Sequence, residues 1–98
     1  MNRNTTDEIK EISTILAGEN KTDVINDFII EILTKSEVET ISKRWQILNL
    51  LSEGKTQREI AQNLKVSLCK VTRGSQILKK KNSIIAKYLK KGENNDSK

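Results

Sequence analysis

Ninety-eight residues carrying a formal net charge of +5 make a single small domain, for which dimerisation is one way to bury more apolar surface. With no histidine and one cysteine, Cys69, the chain lacks a ligand set for structural zinc, an intrachain disulfide and the usual nucleophile–base pairs, so neither a metalloprotein nor an enzyme is expected. No apolar run is long enough to span a membrane and no signal-peptide core stands at the N-terminus, so the expectation is a soluble cytoplasmic protein.

The absence of proline and the presence of only four glycines predict an all-α chain of about six short helices joined by tight turns. Residues 1–6 read as a flexible N-terminus, 7–91 as one helical domain and 92–98 as a disordered tail. Thr5-Thr6-Asp7-Glu8 fits a capping box opening a first helix, with Ile9, Ile12 and Leu16 on one face and Gly18 as its stop. A second helix starts at or near Thr22. Its apolar band of Val24, Ile25, Phe28, Ile29, Ile32 and Leu33 is wide enough to need cover on more than one side, which an interlocked dimer supplies. Thr34-Lys35-Ser36-Glu37 is a second capping box and opens a longer helix to about Glu53. Val38, Ile41, Trp45, Leu48 and Leu51 form its expected buried face, with Ile47 flanking and Trp45 as a core indole. Gly54 ends it.

Thr56-Gln57-Arg58-Glu59 is a third capping box. It opens a short helix with Ile60, Ala61 and Leu64 inward, followed by the turn Leu64-Lys65-Val66-Ser67 and a helix capped by Ser67 and anchored by Val71. This is the pattern of a helix-turn-helix over about residues 56–80. Ala61 is small enough for two helices to cross closely, Val66 plugs the turn, and Lys65 takes the left-handed position at a cost of roughly 1–2 kcal/mol. The outward positions of the second helix are Leu68, Cys69, Lys70, Thr72 and Arg73. Arg58 at the start of the first reaches a guanine edge or a phosphate, and Lys79, Lys80 and Lys81 sit where phosphates run. A last helix carries Ile84, Ile85, Tyr88 and Leu89.

The charge supports a nucleic-acid reading. Lys55 to Lys91 holds eleven basic residues against the single acid Glu59, whereas residues 1–54 hold ten acids and six bases. Such segregation suits a polyanion bound by one part of the molecule. A solvated lysine-rich surface, or a basic helical adaptor that binds protein, are the alternatives. Cys69 on the reading face is a small side chain near the groove, with a redox role as the other option.

TQREI followed by VTRGSQILK, with LTKSEVETISKRWQIL upstream, resembles the Trp repressor family over about residues 24–89. The resemblance implies an intertwined homodimer that represses transcription by binding double-stranded operator DNA when free L-tryptophan is bound as corepressor. It places Arg44 and Arg73 on either side of the indole, Arg73 also on the ligand carboxylate, Gly74 where room for the ring is needed, and backbone carbonyls near Leu33 and Thr34 of the other subunit on the ammonium. Guanidinium planes suit both an aromatic face and a carboxylate. Arg58 matches the family's base-contacting arginine, and Gln57, Thr72 and Lys79 match contact positions. Three residues depart from the pattern. Ile77 stands where a small residue is usual and narrows or reshapes the pocket, Ala61 stands where a lysine often meets DNA, and Lys70 replaces a smaller polar residue. Ile77 keeps open a regulator of the same fold that works without a ligand or senses another small molecule.

Overall fold

The computed structural model describes residues 4–89, and among these every regular element is a helix. In chain order they are α1 (Thr5–Ala17), α2 (Thr22–Ile32), α3 (Lys35–Ser52), α4 (Gln57–Leu64) and α5 (Leu68–Lys79). A further helical stretch, α6, covers residues 84–89. None of these helices is long and apolar enough to cross a membrane. Contacts gather into two compact units, Met1–Val38 and Glu39–Lys98. The expected tail 92–98 lies outside the described residues, as do residues 1–3.

In the first unit, α1 starts earlier than its threonines suggested. Asn4 is the N-cap: its side chain accepts from Asp7 N at 3.0 Å, and Asp7 Oδ2 accepts from Asn4 N at 3.3 Å. Asparagine out-ranks threonine as a cap, so the box sits one residue upstream and Thr5 and Thr6 enter the helix instead of a loose terminus. α2 opens at Lys21 with no side-chain cap. The Thr34–Glu37 box at the head of α3 forms as expected, Thr34 N donating to Glu37 Oε1 at 2.8 Å and Glu37 N to Thr34 Oγ1 at 3.1 Å. Neither α1 nor α2 contains a buried residue, and Ile9, Ile15, Val24, Ile29, Ile30 and Ile32 all stand exposed.

The second unit holds the core. Ile60 of α4 and Val71 of α5 are fully enclosed, with Ile47 beside them and Leu50, Leu51, Ala61, Leu64 and Val66 packed around. The face that α3 buries differs from the expected one. Ile47 and Leu48 are its buried residues, whereas Ile41 and Trp45 are 47% and 44% exposed. Positions 41 and 45 lie well round the helix from Ile47 and Leu51, so a core built on the latter pair turns the indole outward. Trp45 is therefore not a core residue of the chain taken alone.

Candidate functional site

The reading head is built by three local devices. Thr56 and Glu59 cap α4 reciprocally: Glu59 N donates to Thr56 Oγ1 at 3.1 Å, and Thr56 N to Glu59 Oε1 at 3.0 Å. Those bonds, the backbone one foremost, hold the Glu59 carboxyl below its ordinary pKa. Lys65 ends α4 in the left-handed conformation, φ 57° and ψ 48°, as the turn pattern demanded. Ser67 caps α5 by accepting from Lys70 N at 3.3 Å. Val66 and Ala61 then pack on the Ile60–Val71 core, so the two helices meet through the small residue and the plug that the sequence pattern assigned to those places.

This leaves one face of α5 open. Leu68, Cys69, Lys70 and Arg73 are exposed, as are Arg58 on α4 and Lys79 at the end of α5. Thr72 and Gln57 are half-buried and bonded to each other, the Thr72 hydroxyl donating to Gln57 Oε1 at 2.8 Å. The first residue of α4 is thus tied to the middle of α5. Nothing in the sequence spacing signalled that bond, because its partners lie fifteen residues apart.

The expected ligand residues fall in both units. In the second, Gly74 is buried where α5 crosses α3. A Cβ at that position would stand 3.0 Å from Ile47 Cγ2 and 3.2 Å from Leu51 Cδ1, closer than packing allows without the neighbours yielding. Glycine here permits the close approach of two helices. Arg73 is exposed beside it, and Arg44 is exposed three and four residues before Ile47 and Leu48, on the same side of α3. The crossing thus joins two helices that each carry an exposed arginine, Arg73 on α5 and Arg44 one turn before Ile47 on α3. Ile77 is half-buried one turn beyond Gly74. In the first unit, Leu33 is half-buried and Thr34 exposed; the Thr34 carbonyl accepts from Val38 N at 2.9 Å and keeps its second lone pair. No group of three or more His, Cys, Asp or Glu suited to a metal ion occurs among the described residues.

Comparison with known proteins agrees with this architecture. The family model described as Trp repressor protein matches residues 5–93. A Trp operon repressor homolog of Xylella fastidiosa is 44% identical over 75 residues, covering 72% of this chain and 79% of that protein. One of Chlamydia caviae is 41% identical over 69 residues, covering 69% and 68%, and one of Chlamydia trachomatis is 34% identical over 79 residues, covering 80% and 84%. No solved structure matches the chain. The family match defines the class as that of a transcription regulator, with which the capped helix-turn-helix is consistent. Within that class the chain belongs to the Trp repressor family, and is a tryptophan-linked transcriptional repressor.

Proposed function

We propose that the chain acts as a homodimer that binds operator DNA when L-tryptophan is bound as corepressor. The observation that carries the reading is the crossing at Gly74, a glycine buried between two helices that each carry an exposed arginine, Arg73 on the reading helix and Arg44 one turn before Ile47 on α3. A ligand held by both guanidiniums would set how α5 is presented, which is linkage between the ligand and DNA sites. Arg73 supplies the carboxylate contact, Arg44 the second face of the ring, and the Leu33 and Thr34 carbonyls of the second subunit the ammonium acceptors. On the DNA side, Arg58 reads a base edge. Lys70, Leu68 and Cys69 face the groove, and Gln57, Thr72 and Lys79 lie along the phosphates.

The dimer is supported by what the chain leaves uncovered. In the first unit, α1 and α2 expose five isoleucines and valines beyond Ile9, more than scattered single side chains account for, and in the second α3 exposes Ile41 and Trp45. A second copy is the occupant we assign, because amphipathic helices exchanged between two identical chains would cover one another.

A second reading has its own observation. The space in front of Gly74 is already filled by Ile47, Leu51 and Leu48 side chains, and Ile77 stands one turn along α5. That arrangement favours a regulator whose pocket is closed or retuned for a different small molecule. Calorimetric titration with L-tryptophan separates the two, and avoids optical overlap with Trp45. One saturable site per chain, lost in Arg44→Ala and Arg73→Ala, supports the corepressor reading. No heat at several temperatures, with tryptophan binding gained in Ile77→Ser, supports the second.

A further inference from the structure

Beyond the helix-turn-helix, the chain folds into a turn that neither the capping boxes nor the reading head accounts for. α5 ends at Lys79, and Ser83 N donates to the Lys80 carbonyl at 3.1 Å, closing a tight turn over Lys80–Ser83. Asn82 takes the left-handed conformation in it, φ 63°, which asparagine tolerates better than most residues. Ser83 then caps the start of α6, its Oγ accepting from Ala86 N at 3.1 Å. The reversal brings the end of α5 and the first turn of α6 around one open concavity of about 460 Å³, lined by Leu78, Lys79, Lys80, Asn82, Ser83, Ala86 and Lys87.

The lining is basic and anchored. Ala86 is buried beneath it, so the floor is fixed, while Lys79, Lys80 and Lys87 are exposed at its rim. No acid lies between Lys55 and Lys91 other than Glu59, which is engaged with Thr56 at the far end of the reading head. Three ammonium groups around one concavity, with an asparagine amide beside them, suit the oxygens of a phosphodiester, and lysine meets phosphate as a point charge without needing bidentate geometry. A continuous polyanion fits better than a small free anion, because the concavity is open and its donors lie on flexible stems at the rim.

We propose that Lys80, Lys87 and Asn82, with Lys79, form a phosphate-backbone seat that grips the DNA duplex on the flank of the sequence read by α5. The seat contacts no base. It adds affinity and salt dependence without adding specificity, and lengthens the duplex needed for full binding. This rests on the DNA-binding reading above.

The test uses the full chain and a duplex selected by the wild-type protein from a random-sequence pool, with and without L-tryptophan, its affinity followed by anisotropy across a potassium chloride series. Each lost phosphate contact lowers the slope of log affinity against log salt by about 0.9. Lys80→Gln/Lys87→Gln should therefore bind with a slope shallower by about 1.8, weaken binding alike on selected and scrambled duplexes, and recover with Lys80→Arg/Lys87→Arg. Both lysines are exposed, so the variants fold. Lys10→Gln/Lys21→Gln removes the same charge from the first unit and should leave the slope unchanged. A steep wild-type slope that the double variant leaves intact overturns the seat alone. An equal flattening by Lys10→Gln/Lys21→Gln also overturns it, by tracing the effect to net charge. A wild-type chain that retains no duplex under either condition overturns the DNA-binding reading itself, and the seat with it.

Discussion

Gly74 and Thr72 show how single side chains set the geometry of the reading helix. The family resemblance assigned Gly74 to leave room for an indole, whereas its close approach to Ile47 and Leu51 was not legible in the sequence, because that contact is made with α3 some twenty-five residues upstream. Gly74→Ala gains about 1 kcal/mol of helix propensity but forces Ile47 and Leu51 to yield, at about 1–3 kcal/mol. The expected outcome is a lower melting temperature in a thermal scan, and a rise would mean that the α3–α5 contact is loose. Thr72→Val keeps the shape of the side chain and removes its hydroxyl. Losing the 2.8 Å bond to Gln57 should cost about 1 kcal/mol in urea denaturation. Glu59 gives a pH signature. Its folded pKa is depressed by the bonds to Thr56, so its contribution is present at neutral pH and is lost as the solution is acidified through and below the ordinary carboxylate range. Wild type should melt above Glu59→Gln at neutral pH, and the two curves should converge in acid.

At the scale of elements, the turns were the most legible part. Two of three expected capping boxes form between the residues named for them, and the first is displaced by one residue because Asn4 competes with Thr5. Capping is local chemistry, so short-range pattern suffices to find it. Lys65 is the clearest case, a non-glycine residue in the left-handed region. Lys65→Gly should relieve roughly 1–2 kcal/mol of backbone strain, set against the extra chain entropy that glycine loses on folding. A higher urea midpoint is expected; an unchanged or lower one would mean the lysine is held there without strain. The buried face of α3 was not legible. Val38, Ile41, Trp45 and Leu48 recur at helical spacing as convincingly as Ile47, Leu48 and Leu51, and periodicity alone does not say which stripe meets α4 and α5. The concavity after α5 was hidden for a similar reason: its lysines look like a charged run until the Lys80–Ser83 turn brings Lys87 alongside.

The whole molecule is two units of different character, one with an enclosed core and one whose helices leave their apolar side chains in the open. A second copy would cover those open side chains. Sedimentation equilibrium should return twice the 11.2 kDa of one chain. Val24→Glu/Ile30→Glu, which places charge on the open face of α2, should lower that mass towards one chain and reduce helicity. In the proposed function, one small ligand governs the grip of the basic reading head on DNA. The most direct test is the affinity of the purified protein for a selected duplex, at fixed salt, with and without L-tryptophan. Couplings between sites commonly amount to about 5–150-fold, and a tightening within that range, lost in Arg73→Ala, is expected. Equal affinity in both conditions, from a protein that binds the duplex tightly, would contradict it.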